Sequence, residues 1–521
     1  MNISKLFLRA PPPGEALVHM HGASLRITRT APELQANVAH LCDALSNLGI
    51  RPGHSVLIVS GSRVEAVESL LAVFNLGATA MPVSALIGTE NILEIVTATQ
   101  PSCCFFEDPP DPKVEQALRA NACVMVSFKS WNASSSERCY AYADLVAERG
   151  ASLNFPDFPH EQRALVIHGS GSSGRLKAVS MSQGEMLRFC EYNEWVWSQY
   201  AEEPDALLGT SPIVTGLPLS HLAGLGTVLL GLMSGRRAYM MSFFVPDVYL
   251  KLVEEARCAT IMLVPSLYRS VLSDPALGRM DRSALRFCLT GGEPCSADLI
   301  ERIEAAFGIP LITVYSMTEC LSGIGHSRHD LYARRIQPGC CGKQLFGELQ
   351  LRDGTGQEHP SFGELWIRNA TVHPCYLDPA ANLERLHNGW FRTGDLFHRD
   401  ADGGFFHRGR VDDMFICNGK NIYPLELELV LLKHPAVELA CAVPVSNERK
   451  GLIPGALIVL RAAASEAEIQ EFSLKHGPSH AMPQVVQFVE ALPHLGAGKI
   501  DRNRVRQLLQ QSHDARARSV A

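Results

Sequence analysis

Residues 164–179 read Ala-Leu-Val-Ile-His-Gly-Ser-Gly-Ser-Ser-Gly-Arg-Leu-Lys-Ala-Val. Gly169, Gly171 and Gly174 carry no Cβ, so backbone N–H groups can close around an anion. Ser170, Ser172 and Ser173 add hydroxyl donors, and Lys177 adds a cation. That composition suits the holding of a triphosphate. Two other phosphate loops fail on spacing. The stretch contains Gly-x-Gly-x-x-Gly, but a dinucleotide site needs a helix to open at the loop. Here Leu176, Ala178, Val179 and Met181 read as extended, and the helix start comes later, where Ser182-Gln-Gly-Glu185 has capping-box spacing. A Walker A loop needs Lys directly after its last Gly, and Arg175 stands there. The segment is expected to form a hairpin-like phosphate clamp. Taken alone, it can also be read as an exposed flexible loop.

The elements around this loop follow a βαβ rhythm. Ser55-Val-Leu-Ile-Val59 is strand-like, Val64 to Phe74 has apolar residues at helical spacing, and Leu76 to Pro82 reads as a second strand. Strand-like runs recur at Cys258–Pro265, Leu285–Leu289 and Pro310–Val314. This order predicts parallel strands with crossover helices. After Gly394-Asp395-Leu396 the texture changes. Asp400 to Gly404 is turn-rich, and Phe405 to Asp413 reads as a strand followed by a charged turn. The expected fold is α/β: a large N-terminal multi-subdomain α/β domain (1–411) and a small mobile α+β domain (412–521), with a frayed tail from Gln511.

The loop resembles the phosphate loop of the superfamily of acyl- and aryl-CoA synthetases, adenylation domains and luciferases, Thr-Ser-Gly-Thr-Thr-Gly-x-Pro-Lys-Gly. Leu176 and Ala178 replace its Pro and Gly. Further segments match in the family's order. They are Leu217-Pro-Leu-Ser-His221-Leu-Ala-Gly224, Thr290-Gly-Gly-Glu-Pro294, Tyr315-Ser-Met-Thr-Glu319, Gly389-Trp-Phe-Arg-Thr-Gly-Asp395, Gly409-Arg-Val-Asp-Asp413, Asn418-Gly-Lys-Asn-Ile-Tyr-Pro-Leu-Glu426 and Gly498-Lys-Ile-Asp-Arg502. Ser316 stands where the family has Gly. The match runs from about residue 35 to 509, and the hinge segment looks most like benzoate-type CoA ligases.

The resemblance implies a role for each matched residue. Ser170, Gly171, Ser172, Ser173, Gly174 and Lys177 would hold ATP phosphates. Gly292, Glu293 and Pro294 would form the adenine-side loop, and Tyr315 would offer its ring to adenine. Asp395 would accept from the ribose hydroxyls, with Arg410 helping from the hinge side. Thr318 would bond the α-phosphate and Glu319 would hold Mg2+, a cation that prefers hard oxygen ligands. By its residues alone Glu319 also reads as an acid at a helix N-terminus. Lys499 would be the catalytic lysine; without the motif it reads as a solvated surface lysine. His221, Gly292 and Ser316 would line the acyl pocket, although a lone His among leucines is also a common core residue. Gly419 would border the thiol channel and Asp412 would be the hinge. Chemically, adenylation joins two anions, so fixed cations and donors must offset their repulsion.

The implied activity is ATP-dependent ligation of a carboxylic acid to a thiol through an acyl-adenylate. Coenzyme A is the expected acceptor, with carrier-bound phosphopantetheine on an acyl carrier protein as the alternative. A nicotinamide oxidoreductase would rest on the Gly-x-Gly-x-x-Gly spacing alone. A catalytically impaired binding protein is the remaining alternative, raised by Leu176, Ala178 and Ser316. No acid lies between Leu207 and Leu232, which disfavours an α-amino acid substrate. An aromatic or modest-length aliphatic acid is expected.

Bulk properties agree with a globular enzyme. The chain has 521 residues, 46% of them hydrophobic and 19% charged, with a net charge of −7. Neither the charge nor its scatter suits nucleic-acid binding. The start, MNISKLFLRAPPPG, lacks an apolar leader core, and Leu225–Met233 is too short to span a bilayer. A cytoplasmic monomer or homodimer, with its 15 cysteines as free thiols, is the expectation.

Overall fold

The computed structural model describes all residues except 9–13, 23, 130–137, 148–149, 171–175, 199–209, 333–335, 448–449, 495–499 and 521; for 169, 170, 176, 197, 328, 332 and 517–520 only the backbone is described. Near the N-terminus, the valine- and isoleucine-rich run Ser55–Ser60 is a central strand. It lies parallel to Thr79–Ser84 on one side and to Cys103–Phe106 on the other. Helix Val64–Asn75 joins the first two. It is buried along its whole length, so even its acids are paired internally. Glu68 takes Arg29 at 2.8 Å and Asn37 at 2.7 Å, and also accepts from Tyr142. The expected strand at Leu76–Pro82 is shifted to Thr79–Ser84, because Leu76 to Ala78 are used to close the preceding helix.

This sheet has seven strands and ends in an antiparallel pair, Arg163–Ser170 with Leu176–Ser182. Its neighbour Thr79–Ser84 bonds Arg163–Ser170 only through Ala80 and Leu165. Leu176–Ser182 pairs along the other edge of Arg163–Ser170, from Arg163 opposite Ser182 to Ser170 opposite Leu176. The predicted capping box closes the hairpin's exit. Ser182 N donates to Glu185 at 2.6 Å and Glu185 N to Ser182 Oγ at 3.3 Å, opening helix Gln183–Ser198.

A second layer contains Thr260–Met262, Phe287–Gly291 and Leu311–Val314, all parallel, as the run spacing predicts. The single bridge Thr215–Met262 connects it to a four-stranded sheet containing Ala238–Met241 and Glu15–His21. A five-stranded sheet holds Glu348–Arg352, Phe362–Arg368, Trp390–Arg399 and Phe405–Arg410 among its strands.

Between Arg410 and Phe415 the chain leaves that sheet and enters another five-stranded one. Its strands are Phe415–Cys417, Lys420–Ile422, Gly451–Leu460, Val437–Asn447 and Val485–Phe488, packed with helices Pro424–Leu431, Glu466–His476 and Arg502–Val520. The molecule is thus a mixed α/β protein with a large N-terminal domain and a small C-terminal one. The tail expected to fray is helical as far as Val520. Arg516 bonds Glu466 at 2.8 Å and the carbonyl of Val486 at 3.2 Å, and these tertiary contacts hold the last turns. Every cysteine is a free thiol, and all are buried except the half-buried Cys139. Among the described residues no helix is long and apolar enough to cross a membrane.

Candidate active site

Tyr315 leaves the end of Leu311–Val314, and Asp395 sits in Trp390–Arg399, 80 residues later. The two meet where the sheets converge. Tyr315 donates its phenol to Asp395 Oδ2 at 2.7 Å. Arg410 Nη1 donates to Asp395 Oδ1 at 3.2 Å, and His407 Nε2 lies 3.4 Å from the same oxygen. The antiparallel register sets Asp395 opposite Arg410 and Phe397 opposite His407. Gly394, at φ +78°, makes this approach possible: a Cβ there would lie 2.5 Å from Arg385 Nη1 and 3.0 Å from Arg410 Nη2.

Burial alone would raise the Asp395 carboxyl. His407, Arg410 and the Tyr315 hydroxyl outweigh that and hold it below the usual carboxylate range. The Tyr315 phenol goes the other way, pushed well up by burial and by Asp395, so it stays a donor. Burial opposes the charge on Arg410, but Asp395, Asp412 and Asp413 keep it a cation. Its Nε is buried without a partner. The result is an ionised carboxylate held among fixed donors, beside a tyrosine ring that stacks on His407 at 6.2 Å. A carboxylate of this kind can accept from two vicinal hydroxyls.

Four residues beyond Tyr315, Glu319 accepts a 2.7 Å hydrogen bond from Tyr376. Tyr376 is attached through the backbone to the antiparallel pair Arg163–Ser170 and Leu176–Ser182. Ser180 N donates to Cys375 O at 2.6 Å, Leu377 N to Ala178 O at 3.0 Å, and Val179 bridges Tyr376. The carboxylate of Glu319 is thus linked through Tyr376 to the hairpin that carries Lys177, which pairs with Gly169 in the ladder. Segment 315–319 links the two ends of the site. Its Cα span is at most about 14 Å, comparable to the reach from a ribose to its triphosphate. Gly171, Ser172, Ser173, Gly174 and Lys499 lie outside the described residues, and Ser170 is described only as the end of a strand.

The remaining expected residues surround this axis. Thr318 is half-buried beside Glu319, while Ser316 is exposed. Gly292 lies exposed past the end of Phe287–Gly291 at φ +78°. Glu293 accepts from Ser266 Oγ at 3.3 Å, which fixes the loop, and the exposed Pro294 follows it. His221 is half-buried and caps helix Leu222–Met233 from an extended conformation. Asp412 receives Arg385 Nη2 at 3.2 Å between the two sheets. Gly419 occupies the exposed turn of Phe415–Cys417 and Lys420–Ile422 at φ +73°. Three neighbours were not foreseen from the sequence: Tyr376, His407 and Arg385. Asp-Gly inside Asp400–Gly404 is a hairpin signal, and pairing outward from it would have found His407. Nothing local marks Tyr376 or Arg385.

The chain also matches known proteins. The family model described as AMP-binding enzyme matches residues 10–377, and that of the AMP-binding enzyme C-terminal domain matches residues 426–499. The chain is similar to feruloyl-CoA synthase from an Amycolatopsis species, 29% identical over 508 residues that cover 95% of this chain and 97% of the relative. It is similar to 2-succinylbenzoate–CoA ligase from Bacillus cereus, 28% identical over 488 residues, covering 92% and 94%. Among solved structures it has the fold of o-succinylbenzoate CoA synthetase from Bacillus subtilis, determined with its acyl-adenylate intermediate. The TM-score is 0.80 at 23% identity, covering 97% and 98% of the two chains. With the first family model spanning more than half of its length, the chain belongs to the AMP-binding enzymes.

Proposed function

We propose that this protein is an AMP-forming acid–thiol ligase that activates a carboxylic acid with ATP and passes the acyl group to coenzyme A. The observation carrying this reading is the joined pair of subsites, Asp395 with Tyr315 and Arg410 at one end, Glu319 beside the phosphate hairpin at the other. In this reading Asp395 accepts from the ribose and the ring of Tyr315 faces adenine, next to Gly292, Glu293 and Pro294. Lys177 and the Gly/Ser turn hold the phosphates, with Thr318 on the α-phosphate. The partly buried carboxylate of Glu319, oriented by Tyr376, has the hard oxygen chemistry that Mg2+ prefers. Bound there, Mg2+ would offset charge on the phosphates. Lys499 acts in adenylation from the small domain. The small domain then turns about Asp412, and Gly419 comes to border the thiol path.

The names of the relatives support an aryl or aryl-like acid, and the lack of any acid between Leu207 and Leu232 argues against an α-amino acid. The test is pyrophosphate release over a panel of aromatic and short aliphatic acids, with acyl-AMP and thioester measured separately. Coenzyme A and a phosphopantetheinylated carrier protein are supplied in parallel. Release that needs an acid, followed by thioester only with coenzyme A, is the expected result. ATP hydrolysis to ADP, or no dependence on any acid, would refute it.

A further inference from the structure

Helix Pro379–Arg385 touches the candidate active site and the link between the two domains. Its Asn382 grips Tyr376 twice, accepting from Tyr376 N at 2.9 Å and donating to Tyr376 O at 2.7 Å. Tyr376 in turn donates to Glu319 at 2.7 Å. Asp378 caps the helix by accepting from Ala380 N at 2.9 Å. Arg385, the last helical residue, is buried. Its guanidinium lies against Gly394, where a Cβ would come within 2.5 Å of Nη1, one residue before Asp395.

The carboxylates that face this guanidinium lie on its outer side. Nη2 donates to Asp412 Oδ2 at 3.2 Å, and Nε is 3.7 Å from Glu384 Oε1. The side chain of Asp412 is 47% exposed and that of Glu384 63%, against 8% for Arg385. Arg410 Nη2 stands 3.7 Å from the same Asp412 oxygen, while its Nη1 bonds Asp395. Arg385 belongs to the large domain and Asp412 to the link that leaves it. The buried partner has the most to lose on separation, because a guanidinium left without its carboxylate keeps its desolvation cost.

We propose that Arg385 is a positioning residue: it holds the Asp412 carboxylate in the arrangement that precedes thiol transfer, and the pair must part before the acyl group passes to the thiol. This rests on the ligase reading. In the present arrangement Gly419 is exposed, and a Cβ on it would meet nothing within 4 Å. The turn assigned to the thiol path is therefore not against the large domain here, and the Arg385–Asp412 pair belongs to the arrangement before transfer. A turn through φ at Asp412 carries its own Cβ along, so the carboxylate leaves Arg385. Asn382 fixes the same helix to Tyr376, which sets the hold from the end of the site where Glu319 stands.

The experiment is single-turnover kinetics on wild type, Arg385→Met, Arg385→Lys, Asp412→Asn and the combination of Arg385→Met with Asp412→Asn, using the panel acid that releases pyrophosphate fastest. Acyl-AMP formation is measured first and checks that each variant is folded. Thioester formation from preformed acyl-AMP and coenzyme A is measured second. Turns of this kind commonly limit the step they serve. With the pair absent, Arg385→Met should transfer about twofold to fivefold faster than wild type, the range for one partly exposed ion pair. Damage to the fold would slow this step, not speed it. Asp412→Asn should quicken transfer in the same way, and the combination should add little to either. Arg385→Lys, which keeps the cation, should return toward wild type. If Arg385→Met folds poorly, Asp412→Asn decides alone, since it removes the charge from the more exposed partner. If wild type makes no acyl-AMP, the ligase reading falls. If acyl-AMP forms and neither variant transfers faster, or their effects add in the combination, the positioning inference alone is overturned.

Discussion

Removing one oxygen from Tyr376 is the most direct test of how Glu319 is held. Tyr376 is 8% exposed, so water cannot readily take the place of its hydroxyl in Tyr376→Phe. Burial and the neighbouring Glu319 push the phenol far above its ordinary range, which makes it a permanent donor to the carboxylate at 2.7 Å. A hydrogen bond to a charged group contributes about 1.5–3 kcal/mol. If that energy orients Glu319 in the adenylation transition state, kcat/KM for pyrophosphate release should fall about 10- to 100-fold. Fold stability should change little, because loss of one bond is offset by a more apolar ring in the same cluster. The assay is a double-mutant cycle with Glu319→Gln, measured across a magnesium titration. Glu319→Gln should itself lower the rate and raise the magnesium requirement. In its background Tyr376→Phe should add almost nothing, since the interaction it removes is already lost. Equal losses in both backgrounds, or no loss in either, would show that Tyr376 does not act through Glu319.

Lys177→Ala should raise the KM for MgATP, because a cation on the phosphate hairpin is lost; unchanged ATP kinetics would show that the hairpin is not the clamp. Lys499→Ala should slow acyl-AMP formation on the order of 10²–10³-fold yet spare thioester formation from supplied acyl-AMP. Gly419→Leu and Asp412→Pro should do the reverse, one by blocking the thiol path and the other by fixing φ at the hinge; equal loss of both steps in every variant would exclude domain alternation. Asp395 has its folded-state pKa depressed, so its contribution is present above its unfolded pKa of about 3.9 and is lost as pH falls through the lower folded value. Asp395→Asn should therefore be less stable than wild type near neutrality, with the gap closing in acid, and should bind ATP more weakly; parallel denaturation curves at every pH would contradict this.

Local chemistry explains what could be read ahead of the structure. Ser182 and Glu185 form their capping box because both partners lie within one helical turn. Ser55–Ser60 and Val64–Asn75 announce themselves by the periods of their apolar residues. The antiparallel hairpin around the Gly/Ser run follows from extended residues after the glycines. The tail beyond Gln511 was misread because its residues are polar and its partners, Glu466 and Val486, lie some 30 to 50 positions away.

The sequence by itself determined the order of the parallel elements, the antiparallel pair around the Gly/Ser run and the identities of the charged groups the chemistry needs. Each of these depends on neighbours within a few residues or on a motif read in order. Only the tertiary structure decided which of those groups meet. Tyr315 reaches Asp395 across 80 residues and Tyr376 reaches Glu319 across 57. The first depends on where Leu311–Val314 ends against Trp390–Arg399, and the second on the bridge that ties Tyr376 to Val179. Tyr376 and Arg385 carry no local signal of their place because it comes from what the fold brings to them.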